Sequence, residues 1–393
     1  MARITAEYVY TLDSDCPIRN GYVEYDPNDG TILGVGECDV CETVSPGAVI
    51  PGFVNAHCHS ELSHLHRKFR KGTGMAGFID QINELRDWAG RETKQALVRK
   101  WMDKMWEDGV TAMADISNDD SSFIVKASHP MYTRTFLEVF GSEPEMCEGV
   151  MKDVSALQSV AADAGIDAAP TPHSCYTMSP QLLTASAAAG LAEGFLSYHS
   201  QESQEEEELL RTGTGAMYEN RKRSGMSTPP VTGESSLRYF IDRLADARPA
   251  PYDEHILLVH NVCLSQDDID VALRVFNNVF WAVCPLSNIF IHNALPPIPL
   301  MRRNGLQIAV GTDSLSSNDD LDMIKEILCL HTNYPEVPMN EIFRWACLNG
   351  ARFLGKEEIY GSLTVGKRPG IVLVSDMDAS GAVTERSRSK RII

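Results

Sequence analysis

Between residues 48 and 354, short β-rich apolar runs alternate with amphipathic helical stretches, and eight of those runs end at a residue capable of chemistry. The endings are His57 with His59, Asp115, Glu138, His173, His199, His260, Cys284 and Asp313. Strands that alternate with helices make a parallel sheet. Eight β-then-α units in roughly 300 residues predict a (β/α)8 TIM-like barrel with insertions, an α/β fold. Helices are expected over residues 78–88 and 95–107, among others. The flanks carry β patterns and no helix before residue 50: Tyr8-Val9-Tyr10, then Tyr22-Val23-Glu24-Tyr25, the turn Asp26-Pro27-Asn28-Asp29-Gly30, and a returning strand from Ile32 to Val35. After Leu354 the β pattern resumes over 361–364, a Gly366-Lys367 turn and 371–375. Residues 1–50 and 355–393 are therefore expected to form one discontinuous small β-domain attached to a catalytic barrel of residues 51–354.

Composition narrows the function. The 393 residues hold 54 acidic and 35 basic side chains, a net charge of −19. Nucleic acids and anionic membranes both need a basic footprint, so neither is expected as a partner. No apolar run approaches the roughly 20 residues that span a bilayer, and the N-terminus lacks a signal-peptide core. Ten scattered cysteines without an Asn-x-Ser/Thr site suit a reducing cytoplasm. The expected partner is a small-molecule substrate, with a homodimer as the open oligomeric state.

The strongest local signal is Pro51-Gly-Phe-Val-Asn-Ala-His57-Cys-His59. Strand side chains alternate between faces, so His57 and His59 are expected to share the inward face while Val54, Ala56 and Cys58 pack outward on helices. Two imidazoles so placed can bind one metal ion at about 2.0–2.1 Å. The same alternation places His199 inward with Phe195 and Ser197, His260 inward with Ile256 and Leu258, and Asp313 in register with Ala309 and Gly311. Ionisable groups ending apolar strands are costly unless paired or ligated.

With these motifs the chain resembles the amidohydrolase superfamily, in its branch of cytosolic deaminases and chlorohydrolases. The matching pieces are PGFVNAHCH, TPHSCYTMSP, YHSQES, LVHNV, CPLSN, GTDSLSSN, LNGARFLG and GSLTVGK, in the family's order over nearly the whole chain. The resemblance implies one divalent metal, zinc with iron as the alternative, on His57, His59, His199 and Asp313. It implies Glu202 as acid/base, His260 and Asp313 beside the attacking hydroxide, and His173 at the substrate. Binuclear relatives carry a lysine at the end of the fourth strand, where this chain has Thr171-Pro-His173. A departure lies at Gly366-Lys-Arg-Pro-Gly370, where relatives usually carry Ala-Asp after Gly-Lys. The implied activity is hydrolytic deamination of an amino-substituted heterocycle of purine base or nucleoside type. The stretch His57-Cys-His-Ser-Glu-Leu-Ser63 is similar to aminofutalosine deaminases. The alternatives are a chlorohydrolase or cyclic amidase using the same site, and a non-catalytic barrel serving as an interaction protein.

Other features read more plainly. Gly72-Thr-Gly-Met-Ala-Gly77 follows a basic loop, not a strand, and reads as a flexible first βα loop rather than a dinucleotide site. Cys38 and Cys41 form a lone C-x-x-C, read as incidental. Glu205, Glu206, Glu207 and Glu208 read as a solvated helix start. His64, His66, His129, His255, His292 and His331 are left to surface or packing roles. Arg67, Lys68, Arg70 and Lys71 are either a solvated loop or a clamp, through Arg67 and Arg70, for a carboxylate or phosphate on the substrate.

Overall fold

The computed structural model describes residues 1–39 and 43–393. Four strands precede the barrel: β1 (Ala2–Val9), β2 (Ile18–Tyr25), β3 (Ile32–Glu37) and β4 (Ser45–Pro51). The β2–β3 turn closes as expected, with Gly30 at φ 76° and its amide donating to the Asp26 carbonyl at 2.9 Å. Eight strands follow: β5 (Phe53–Cys58), β6 (Val110–Ser117), β7 (Tyr132–Val139), β8 (Asp167–Pro172), β9 (Phe195–Ser200), β10 (Tyr252–His260), β11 (Phe276–Val283) and β12 (Gln307–Val310). Near the C-terminus lie β13 (Ile371–Ser375) and β14 (Arg388–Arg391).

β13, β14 and β1 to β4 form one six-stranded sheet in the order β14-β13-β4-β1-β2-β3, joining both ends of the chain. Residues 361–364 do not form the expected strand. They make a turn-rich link in which the Leu363 amide donates to the Thr11 carbonyl, and Leu363 is buried with Val9, Val49 and Ile371.

β5 to β8 and β9 to β12 are two parallel sheets in sequence order. Hydrogen bonds close them into a barrel at both seams. At one, His199 N–H reaches the His173 carbonyl at 3.0 Å and Thr171 Oγ1 donates to the Ser197 carbonyl at 2.6 Å. At the other, Thr312 and Asp313 N–H both reach the His57 carbonyl, at 3.1 and 3.0 Å. Val54, Ala56, Ala112, Leu257, Ala282 and Ala309 form one buried cluster, which strands so far apart in order can share only across a barrel lumen. Phe353 packs on Phe136, Phe195 and Phe280, filling that lumen. The first two helices run over Gly74–Leu85 and Arg91–Glu107, four residues earlier at their starts than the periodicity predicts.

That lumen cluster overturns two expected facings. Val54 and Ala56 point into the barrel, not onto helices. The β5–β6 register shifts between Asn55 and Cys58, and this irregularity brings His57 to the same side as Ala56 despite their adjacency. In β10 the inward residues are Leu257 and Val259, while Ile256 and Leu258 belong to the helix-facing core. Alternation alone would send His260 outward. Its φ of +74° turns the chain so that it joins the site.

Candidate metal and proton-transfer site

At the C-terminal end of the barrel His57, His59 and Asp313 bring donor atoms together, and His199 adjoins them through His59. His57, His199 and His260, like His59, Glu138 and His199, form further groups able to hold an ion. His59 Nε2 lies 3.1 Å from His57 Nε2 and 3.4 Å from His199 Nε2. Asp313 Oδ1 lies 3.7 Å from His57 Nε2 and 3.5 Å from His59 Nε2. A tetrahedron with bonds of about 2.1 Å sets its corners about 3.4 Å apart, so these separations fit one ion of the size of Zn²⁺. The chemistry fits as well. Burial first, and neighbouring imidazoles second, hold His57 and His199 well below the ordinary imidazole pKa, so both are neutral and ready to ligate. Burial would raise the Asp313 carboxyl, but His59, His260 and His57 outweigh it and keep the group ionised.

The supports of this cluster are specific. Ser287 and Ser317 hydroxyls donate to Asp313 Oδ2 at 2.6 and 2.7 Å, which leaves Oδ1 facing the imidazoles. His199 Nδ1 lies 3.2 Å from the His173 carbonyl and 3.4 Å from Glu138 Oε1, so its outer nitrogen is oriented by acceptors. Gly311 sits where a Cβ would meet His57 backbone and Cβ atoms at 2.8–2.9 Å, so only glycine lets β12 lie this close to β5. Asp115 accepts from Ser60 N–H and Oγ at 2.8 and 2.6 Å and pairs with buried Lys126 at 2.6 Å, tying down the turn directly after His59.

Glu202 stands beside the cluster on the loop after β9. Its Oε1 is 3.4 Å from His260 Nε2, and Tyr176 donates to its Oε2 at 3.1 Å. Burial, then the Asp313 charge, raises the Glu202 pKa well above the usual carboxylate range. His260 Nδ1 faces Asn288 Nδ2 at 3.1 Å, and burial lowers its pKa to about 4. His173 has its Nδ1 engaged by Ser174 and Thr177 hydroxyls at 2.7 and 2.8 Å. Gln201, His260, Asn261 and Asp313 all have positive φ without being glycine. Each such residue costs about 1–3 kcal/mol, and here they cluster where the site is built.

The glutamates after Glu202 are not a solvated helix start. Glu206 and Glu207 are buried. Glu206 accepts from the Gln201 and Glu202 N–H groups at 3.2 and 2.7 Å and so shapes the loop that carries Glu202. Glu205 accepts from Met75 and Ala76 N–H at 3.1 and 2.8 Å. The anion position of the glycine-rich turn is thus filled by a side chain of the same chain, and a Cβ on Gly74 would strike that carboxylate. Cys38 follows β3, and Cys41 lies outside the described residues.

A cavity opens over the cluster, enclosing with its mouth about 820 Å³ of empty space. Met75, Phe78, Ile79 and Ile82 form its apolar wall, one stripe of the helix Gly74–Leu85. His59, His173, His199, Glu202, His260 and Asp313 form its floor. Arg67 and Arg70 do not line it. Both are exposed where the chain leaves the 3-10 turn Ser60–Leu65, and nearness in sequence to His59 does not bring them over the ion position. Their neighbours Lys68 and Lys71 go to the Trp88 ring and to Asp319. The cavity's arginine is Arg86, which sequence reasoning missed along with Tyr176. Tyr176 and Asn288 do lie inside quoted motifs, TPHSCYTMSP and CPLSN, and that was the available signal.

Comparison with known proteins agrees with this geometry. The family model of the Amidohydrolase family matches residues 48–393, and the chain belongs to that family of metal-dependent hydrolases. It is 27% identical, over 83% of its length and 72% of the relative's, to a 5-methylthioadenosine/S-adenosylhomocysteine deaminase of Moorella thermoacetica. Its fold is similar to that of Helicobacter pylori aminofutalosine deaminase in complex with methylthio-coformycin, with a TM-score of 0.78, 21% identity and all of both chains covered. It is also similar to the atrazine chlorohydrolase of Arthrobacter aurescens TC1 complexed with zinc, with a TM-score of 0.70, 17% identity, 95% of this chain covered and 86% of the other. The protein is an enzyme of the aminohydrolase type, and the non-catalytic alternative has no support.

Proposed function

We propose that this enzyme deaminates an amino-substituted heterocycle of adenine nucleoside type, with one zinc ion held by His57, His59, His199 and Asp313. The observation that carries the reading is the cluster of His57, His59, His199 and Asp313 with the Glu202 carboxyl lining the same cavity. In this reading residues 51–354 are the catalytic barrel, flanked by a β-domain from 1–50 and 355–393. The ion, when bound, supplies Lewis-acid activation of water at neutral pH.

The chain's own groups do the rest. Glu202 takes a proton from the attacking water and hands it to a ring nitrogen, which leaves the amino-bearing carbon open to attack. Burial raises the Glu202 carboxyl above the usual carboxylate range, which favours its holding a proton, and Tyr176 engages Oε2 and leaves Oε1 towards His260. His260, held by Asn288, and Asp313 hold the oxygen nucleophile in line. His173, with Nδ1 already engaged, offers Nε2 to the ring. The apolar helix stripe covers the heterocycle and excludes water. The tetrahedral adduct's hydroxyl proton then passes to the amino group, the C–N bond breaks as the C=O forms, and ammonia leaves. The test is a panel of adenine, guanine, pyrimidine and triazine compounds with ammonia and chloride release both measured. Ammonia from adenine nucleosides is the expected result, and chloride release from chlorotriazines without ammonia would replace this reading with a chlorohydrolase.

A further inference from the structure

Arg86 follows the helix Gly74–Leu85 and reaches the cavity wall from its far end, in a protein whose net charge of −19 disfavours anions. Its guanidinium donates to Asn118 Oδ1 at 2.9 Å and lies 5.2 Å from the Phe140 ring centroid. No carboxylate pairs with it among the described residues. Two acids lie nearby, Glu138 on the cavity wall and Glu61 buried behind it, and Asn118 takes one oxygen of each. Its backbone N–H goes to Glu61 Oε2 at 2.8 Å, and its Nδ2 goes to Glu138 Oε2 at 3.2 Å. Some arginines are neutralised in pairs, as in Arg91 with Asp120, Arg134 with Asp167 and Arg302 with Glu341, while Arg221 and Arg391 spend their donors on backbone carbonyls. A half-buried guanidinium with donors beyond its bond to Asn118, and no ion pair among the described residues, on the wall of a substrate cavity can take an anionic ligand.

We propose that Arg86 is the specificity residue for an anionic substituent on the substrate, a carboxylate or phosphate carried at the end of the nucleoside remote from the reacting carbon. The proposal rests on the nucleoside reading above and names the substrate subclass within it. A planar guanidinium offers two parallel N–H groups to such an oxyanion, and the low-dielectric wall formed by Phe140 and Ile82 strengthens that contact. The local cation also offsets the repulsion of an anion by the protein's overall charge.

The test uses deaminated ligands that are not consumed: inosine, inosine 5′-carboxylate and inosine 5′-monophosphate, titrated calorimetrically into the metal-loaded enzyme. At least one anionic ligand should bind about 10-fold or more tightly than inosine, and whichever does so identifies the oxyanion. R86M should abolish that ratio, R86K should keep part of it as a point charge without the fork, and R67A/R70A should keep all of it. Thermal unfolding of each variant separates loss of fold from loss of recognition. Equal binding of inosine and both anions, no binding of any of the three, or a ratio that survives in R86M overturns the proposal. Ammonia release from neutral adenosine is scored separately, so failure of the deaminase reading is visible apart from failure of Arg86.

Discussion

At the scale of single residues the Tyr176–Glu202 contact decides how the proton moves. Tyr176 donates to one carboxylate oxygen, and the other faces His260 at 3.4 Å. Y176F should retain metal and lower kcat by about 10- to 100-fold, the loss of one hydrogen bond to a charged group, with a smaller change in KM. Stopped-time ammonia assays with metal analysis check this, and metal loss in Y176F would make the tyrosine structural. E202Q should also keep its metal while kcat falls by about 10²–10⁴-fold. An E202Q protein that cannot hold metal would turn Glu202 into a ligand. Most of these residues were legible as chemistry in the sequence because ionisable groups at strand ends stand out against apolar runs. Arg86 was not, since a helix-terminal arginine has no signature before the helix is placed over the cavity.

At the scale of elements, close approach and buried charge set the strain. Gly311 is the contact between β12 and β5, and G311A forces a methyl group against His57 backbone atoms. Overpacking of that kind costs about 1–3 kcal/mol, and because Asp313 is two residues on, the variant should also bind metal more weakly. Chemical denaturation and metal titration read the two effects. The buried pair Lys126–Asp115 holds Ser60 after His59. K126M leaves the Asp115 charge without its cation and should cost about 3–5 kcal/mol. An unfolding curve that matches the wild type would show that the Ser60 donors suffice alone. The run Glu205–Glu208 shows why an element can be misread. A string of glutamates looks solvated in sequence, yet Glu206 is the internal acceptor that folds the Gln201–Glu202 loop.

At the scale of the whole molecule, the buried ionisable groups give the metal-free protein a defined pH response. Burial lifts Glu61 and Glu206 to about 7, and Glu138 and Glu326 to about 8, from 4.5. The folded state then holds more protons than the unfolded one above pH 4.5, so these groups lose stability as pH rises. Burial lowers His173 to about 3, and His260 and His292 to about 4, from 6.5. The folded state holds fewer protons at these sites, so they gain stability as pH rises to 6.5. The two sets oppose each other below pH 6.5, and only the carboxyls change above it. Thermal unfolding of chelator-treated protein should therefore show declining stability from pH 6.5 to 8. A flat or rising profile there would mean the carboxyls are ionised in the fold. Elemental analysis of the loaded enzyme should find one ion per chain, since the candidate triads overlap through shared histidines and Thr171, not a bridging lysine, lies at the end of the fourth barrel strand on the β8–β9 seam.

The alternation of strand and helix made the barrel legible in the sequence, and ionisable residues ending apolar runs marked the strand-end candidates, while their reading as one metal set came from resemblance to the family. Those signals are local: a two-residue period, a turn composition, a charged group after an apolar run. The tertiary structure alone decided which way some of those groups face. Strict alternation from His57 and His260 put Val54 and Ala56 outside the barrel and Ile256 and Leu258 inside it. A register shift in β5 and a left-handed residue at the end of β10 reversed both. Such irregularities are stabilised by partners distant in sequence, here β12 against β5 and the Asn261 amide on the Ser200 carbonyl. No period within one strand records them. The same holds for the cavity, where Arg86 replaces the neighbouring basic loop because the course of the helix Gly74–Leu85 over the barrel mouth is set by packing against other elements.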